Sequence, residues 1–486
     1  MTRATAADKP DSEPTATQVH PSRTEHAGIG SRRGTAADVL SEPGVFRPLV
    51  FLSLPILAEN VLHMLVGLTD TYLAGHLPTD AAAATAAVGT VAYILWFVNL
   101  IAMAIATGAT AIVSRAVGAK HRSLANSVAA QSVGAGLLMG CCAGLLFAAF
   151  STPLADLTEL KGTAYTFARS YFLLLSMSLP FSIVTVAATA VLRGAGDTLS
   201  PALAMVVVDL VNIVLSLALS RGYFGFPVMG FQGIAIGTVI SYVIGGVILL
   251  VVLSRGKRVR LHRHRLRPHW QTLRRLIKIG LPNGVEGGLT WCANFVILRT
   301  INAIDTTNIS AAAHIVTIRV ESLSFMIGLA IATATATLVG QSLGQKNPAR
   351  ATRATWVAAG LGTGVMICWG VAFIFAGRQL ASAMTTDPAA IDLAAQCLFI
   401  TAFSQVGFAA TLIFGGALRG AGDTLAVMLI NIVSQIGLRL AGALVLVKVF
   451  GFGLAAVWIV LAVELTIRGA AMLGRFVHGG WKHIKV

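Results

Sequence analysis

The chain has 486 residues, 56% of them hydrophobic and only 12% charged, with a mean hydropathy of +0.78 and a net charge of +16. No soluble fold of this length has a core large enough to hide that much apolar side chain, so a water-soluble globular protein is excluded. The positive charge does not form one polyanion-binding surface either, because Arg and Lys gather in alternate short links between apolar stretches.

Taken from the amino terminus, residues 1–44 mix Pro, Ser, Thr, Ala and charges without periodicity and read as a disordered tail. They lack the apolar core of a cleavable signal, so the first span is expected to direct insertion. Twelve runs nearly free of charge follow, at roughly 47–73, 88–113, 127–150, 163–189, 199–219, 231–253, 277–301, 310–339, 355–375, 390–417, 425–447 and 454–473. Each is long enough to cross a bilayer as a helix at about 1.5 Å per residue. None alternates as barrel strands would. The expected fold is an all-α polytopic membrane protein with twelve transmembrane helices.

Arg and Lys crowd the tail before span 1, the links after spans 2, 4, 6, 8 and 10, and the carboxyl end, whereas the other links hold Asp80, Asp156, Glu159, Asp305 and Asp387. By the positive-inside rule both termini and the central link are cytoplasmic. The most basic segment follows span 6, and a solvated link touching anionic lipid is favoured there over a nucleic-acid arm. All five cysteines (Cys141, Cys142, Cys292, Cys368, Cys397) fall in apolar spans without metal-ligand spacing and are expected to pack as small hydrophobes.

The chain repeats itself. Leu-Arg-Gly-Ala-Gly-Asp-Thr occurs at 192–198 and again at 418–424, a shift of 226. Pro55 and Glu59 return as Pro282 and Glu286 at a shift of 227, and Gly118 and Lys120 as Gly344 and Lys346 at 226. Six spans, an even number, fit in that offset, so both halves enter the membrane from the same side. Two six-helix bundles related by a pseudo-two-fold along the membrane normal follow, with cargo expected where they meet. The divisions are 1–44 (tail), 45–254 (amino bundle), 255–274 (basic linker), 275–475 (carboxyl bundle) and 476–486 (second tail). In each heptapeptide the glycines suit a positive-φ helix end, Asp197 and Asp423 can cap the next helix, and Arg193 and Arg419 face a helix carboxyl end.

At these residues the sequence resembles the multidrug and toxic compound extrusion (MATE) family. The resemblance is carried by Gly-Leu-Thr-Asp-Thr-Tyr-Leu-Ala-Gly at 67–75, by the eighth span from Ala313 to Phe325 with Val-Gly-Gln-Ser-Leu-Gly at 339–344, and by both heptapeptides. It spans essentially Leu49 to Lys482, and the eighth span is similar to the bacterial branch that includes DNA-damage-inducible members. It implies a cation-coupled exporter. That branch reads Asn-Ile-Val-Leu-Asp in span 5, whereas this chain has Ser216 at the last position and an aspartate, Asp209, one turn before Asn212.

Ionisable groups in the spans cost about 2.5–3.5 kcal/mol each on insertion scales, so each needs a reason. Glu59, His63 and Asp70 share one face of span 1, and Asp209, Asn212 and Ser216 one face of span 5. Asp70, Asp209, Asn212 and Ser216 are the expected coupling-ion site for H+ or Na+, with a structural hydrogen-bonded pair as the other reading; the Na+ would sit at Asp70 and Asp209, and no resident metal or cofactor is expected. Glu59, His63, Glu286 and Asn294 are candidates for the substrate cavity. Two readings of Glu59 and Glu286 stay open: they face one another across the cleft and attract a cationic drug, or each is satisfied inside its own bundle. Arg319 with Glu321, and Glu464 with Arg468, look like neutralising partners, and Arg439 on one face with Asn431 and Gln435 has a structural role. Pro55, Pro180 and Pro282 sit inside spans.

The expected activity is antiport of small amphipathic organic cations by a monomeric, multi-pass protein of the cell membrane, in contact with lipids and without nucleic acid. A lipid or lipid-linked precursor flippase is the alternative within transport, expected to line its cleft with cations. A membrane enzyme would need paired acidic motifs or a His/Glu metal cluster, and neither is present, nor is a Walker motif.

Overall fold

The computed structural model describes residues 44–484; the expected tail at 1–44, save its last residue, and the last two residues of the second tail lie outside them. Among the described residues the chain is all-helical, with twelve long helices. In the amino half these are α1 (Phe46–Gly75), α2 (Ala81–Gly118), α3 (Arg122–Ala149), α4 (Thr163–Gly194), α5 (Leu199–Arg221) and α6 (Phe231–Arg255). In the carboxyl half they are α7 (Trp270–Asn302), α8 (Ile309–Gly344), α9 (Pro348–Ser382), α10 (Pro388–Ala421), α11 (Thr424–Val449) and α12 (Leu454–His478). Eleven of them are long and apolar enough to cross a membrane. The exception is α7, which carries Arg274, Arg275, Lys278, Glu286 and Arg299 within its 33 residues.

Helix ends follow local chemistry. The two heptapeptides close α4 and α10 in the same way: Gly196 and Gly422 take φ of +85° and +88°, and the amides of Asp197 and Asp423 reach back to the carbonyls of Leu192 and Leu418, each at 2.9 Å. A side chain at those glycine positions would be strained. Asp197 then caps α5 as expected, accepting from the Ser200 amide at 3.0 Å. Asp423 does not cap α11; its carboxylate pairs instead with Arg475 of α12 at 2.8 Å. Within the expected linker 255–274, the His269 ring accepts from the Thr272 amide and α7 starts at Trp270. Cys397 is buried as expected, but Cys141, Cys142, Cys292 and Cys368 are exposed on helix surfaces. They fill no core.

The apolar clusters show how the halves join. Near the ends that carry the basic links the cores are mixed. Leu49, Leu52 and Ile56 of α1 pack with Ile331, Leu338 and Val339 of α8 and with α9 and α10. Leu276 and Ile279 of α7 pack with α2, α3, α4 and α6. The two leading helices therefore cross, each lending its basic-end half to the opposite bundle. Toward the acidic end the cores separate. Leu73 and Ala74 of α1 pack only with amino-half residues, and Ile297 and Ile301 of α7 only with carboxyl-half residues. The mixed cores thus sit at the basic end, while the α2–α7 contact runs on toward the acidic end as far as Tyr93 and Trp291, whose ring centroids are 5.4 Å apart.

Two glycines make that contact possible. A Cβ on Gly118 would lie 2.1 Å from the Gln341 carbonyl oxygen, and one on Gly344 would lie 2.2 Å from that of Arg115. Backbone meets backbone at both, on equivalent positions of α2 and α8. The seam is completed by Thr337, which donates to the Arg193 carbonyl at 3.2 Å, and by Gln341, which donates to the Gly194 carbonyl at 3.1 Å.

Candidate functional site

In the amino half, α1, α4, α5 and α6 converge on Asp70, which is 3% exposed. Its Oδ2 accepts from the Thr238 hydroxyl at 2.7 Å and the Tyr171 hydroxyl at 3.1 Å, and its Oδ1 from the Asn212 amide at 3.2 Å. Asn212 also reaches Thr238 Oγ1 at 3.0 Å and Ser216 Oγ at 3.5 Å, and Ser216 donates to the Ile234 carbonyl at 3.3 Å. The expected Asp70, Asn212 and Ser216 are therefore together. Every group around the carboxylate is a neutral donor, and no arginine, lysine or histidine pairs with it among the described residues.

Asp209, one turn before Asn212 on α5, makes no hydrogen bond to Asp70. It is buried, and neither of its carboxylate oxygens has a partner among the described residues. The Tyr242 ring lies within electrostatic reach of both aspartates and edge-on to His63, with ring centroids 6.4 Å apart. His63 is exposed, midway along α1. Tyr171 and Thr238 were not singled out in the sequence, where a lone hydroxyl in an apolar span carries no mark.

Glu59 and Glu286 do not face one another as an acidic pair. Each is taken by the arginine of its own half's heptapeptide: Glu59 lies 2.9 Å from Arg193, and Glu286 lies 2.6 Å from Arg419 and also accepts from Asn431 at 2.6 Å. The reading in which both attract a drug is corrected accordingly, since each charge is already met by a guanidinium. Asn294 is half-buried on α7. The sequence did hold a signal for these pairs. An acid and an arginine each recur once, at offsets of 227 and 226, which is what a duplicated ion pair leaves behind.

The carboxyl half has a different centre. Glu464 of α12 is fully buried and is held by Arg439 at 2.8 Å, Arg468 at 3.1 Å and the Ser434 hydroxyl at 2.5 Å. The expected Glu464–Arg468 partnership is present, with Arg439 joined to it. No ion pair joins Arg319 to Glu321 among the described residues; two positions apart on a helix, they diverge. His314 lies tilted against Trp458, with ring centroids 5.5 Å apart. Around this cluster α11 widens into π-helical turns over Val433–Leu440 and Val445–Val449, a winding that is uncommon and recurs at functional positions.

Set against known proteins, the chain matches the MatE family model twice, over residues 55–218 and 282–445. The chain belongs to the MATE family. Each matched stretch covers one half, as the internal repeat requires, and the protein is a multi-pass membrane transporter. Among curated relatives of this MATE chain, a probable multidrug resistance protein NorM of Thermotoga maritima is 32% identical over 454 residues, covering 90% of this chain and 94% of that one. An uncharacterized transporter YisQ of Bacillus subtilis is 25% identical, covering 89% and 94%. The fold is similar to that of a solved MOP-superfamily transporter from Pyrococcus furiosus, with a TM-score of 0.83 at 21% identity and coverage of 93% and 99%. It is equally similar, at 20% identity and a TM-score of 0.83, to an outward-facing multidrug resistance MATE transporter.

Proposed function

We propose that this chain is a secondary antiporter that exports small amphipathic organic cations in exchange for H+ or Na+ by alternating access. One observation carries the reading. Glu59, Glu286 and Glu464 are each neutralised by arginine, whereas Asp70 and Asp209 are buried with no basic partner among the described residues. An uncompensated buried carboxylate is costly unless it takes up a cation or a proton. The oxygens of Asp70, Asn212, Thr238 and Ser216 suit either. Loading this site from one side and emptying it to the other couples ion entry to export, provided the ion binds the two conformations unequally.

The basic ends of the helices lie at the cytoplasmic face of the cell membrane in this reading, with both termini. The protein acts as a monomer with lipid around it. NorM relatives carry the name multidrug resistance protein, which supports a broad range of organic cargo. A flippase is not favoured, because the amino-half site presents acids and not the cations a phosphate headgroup requires.

The test is efflux of a fluorescent organic cation from proteoliposomes, with ΔpH and a Na+ gradient imposed separately. One gradient should drive accumulation, and Asp70→Asn should abolish the driven part. Export by Asp70→Asn against a gradient at the parent rate would overturn the assignment.

A further inference from the structure

The repeat makes two contacts at the basic seam directly comparable. Arg115 of α2 and Gln341 of α8 occupy equivalent positions, 226 residues apart. Gln341 crosses the seam to the Gly194 carbonyl at the end of α4. The equivalent acceptor for Arg115 would be the Gly420 carbonyl at the end of α10. Arg115 goes elsewhere: its Nη1 donates to the Ile484 carbonyl at 2.6 Å, in the strap that follows α12.

That strap is anchored. Gly479 ends α12 with φ of +78° and turns the chain so that Trp481 is 1% exposed. The indole donates to the Phe476 carbonyl at 2.8 Å and stacks on the Phe476 ring at a centroid distance of 5.0 Å. Trp481 belongs to the same cluster as Val45, just before α1, Leu49 of α1, and Leu338 and Val339 of α8. One end of the strap is therefore sunk in the mixed core, and the other meets a charged donor on the amino half. The equivalent stretch after α6 does not do this. It folds back on its own half, with the Leu261 amide on the Leu253 carbonyl at 2.9 Å and the Arg260 amide on Asn126 Oδ1 at 2.8 Å.

We propose that the strap at residues 479–484, anchored by Trp481 and engaged by Arg115, is a one-sided lock on the basic end, which must release before α2 and α8 can part there. Arg115 and Trp481 are positioning residues; neither touches the Asp70 site. A hydrogen bond from a guanidinium to a carbonyl in a half-buried seam is stronger than a neutral one, so its loss alters the balance between closed and open basic ends. The inference uses the alternating-access reading only for its effect on export.

The test is a distance measurement in the full chain. Spin labels at Lys120 and Lys346, both exposed in the basic links, report the separation of the basic ends in lipid nanodiscs, with the native cysteines replaced. The parent should show one dominant short distance. Arg115→Met, and separately a chain ending at Gly479, should each raise the long-distance population at least about fivefold; Arg115→Lys should restore most of the short one, and combining truncation with Arg115→Met should add little. Size-exclusion profiles identify any variant that fails to fold, and Arg115→Met decides the matter if the truncation does. An unchanged distribution in Arg115→Met, or full additivity in the combination, would overturn the lock. No cargo is involved, so this result stands apart from the fate of the exporter reading.

Discussion

In the amino half, Asp70 rests among Tyr171, Asn212 and Thr238, all neutral. Moving 226 residues along, Thr238 becomes Glu464 and Tyr242 becomes Arg468, and the carboxylate there is gripped by two arginines and a serine. One backbone plan thus carries two electrostatic solutions. A carboxylate that is fully paired is a fixture, because opening it strands charges in low dielectric. One held only by neutral donors can change its charge or its counter-ion without breaking the bundle. The two halves share one frame, and its central carboxylate is held by arginines in one and by neutral donors in the other.

The largest expected effect follows from breaking the rigid side. Glu464→Gln leaves Arg439 and Arg468 without their carboxylate and should cost about 3–5 kcal/mol of stability, read as a lower thermal unfolding midpoint in detergent. Asp70→Asn should cost less than about 1 kcal/mol of stability in the same measurement, since the neighbours keep a neutral partner. Equal destabilisation by both variants would erase the contrast between the halves.

The seam sharpens the comparison where the halves agree. Gly118→Ala and Gly344→Ala each press a methyl onto an opposing backbone. Each should cost about 1–3 kcal/mol and favour separation of the basic ends, by similar amounts. A twofold-symmetric seam is refuted if one is silent. The ion pairs come next. Glu286→Gln should destabilise by about 1 kcal/mol more than Glu59→Gln, because Glu286 serves both Arg419 and Asn431 while Glu59, among the described residues, is seen to serve Arg193. Chemical unfolding of the two variants side by side measures the difference.

The smallest effect concerns the acidic end. Hydrogen bonds from the Ser310 side chain and amide, and then from Thr307 and the Ile309 amide, hold the Asp305 carboxyl down at about 2 from an ordinary 3.8. A depressed carboxyl contributes stability that is complete above its ordinary value and lost as pH falls through about 2. Asp305→Asn should therefore leave stability unchanged in its pH dependence between about pH 5 and 8, with any difference confined to strong acid.

Much of this architecture was legible because the forces that set it are local. Span length, the offset of the repeat and the glycine turns at Gly196 and Gly422 depend on composition and backbone freedom alone. The Asp70, Asn212 and Ser216 group was also legible, since helical spacing and the high cost of polar groups in lipid point the same way. What distance in sequence hid was pairing. Tyr171 and Thr238 lie far along the chain from Asp70, and Arg193 explains itself as a helix-end cation until Glu59 is found beside it. The crossing of α1 and α7 left no periodic trace, because a helix apolar on several faces does not declare which bundle it serves. The π-helical turns of α11 were equally silent, as they arise from packing around Glu464 and not from intrinsic preference.

The crossing has a consequence for biogenesis. Leu49, Leu52 and Ile56 leave the ribosome early, yet the surface they complete, around Ile331 and Leu338, is synthesised much later. Until α8 is inserted, Leu49, Leu52 and Ile56 lack the carboxyl-half surface they pack against. Made as two separate polypeptides, the halves should seek one another out, because each ends with a groove that only a helix from its twin can fill.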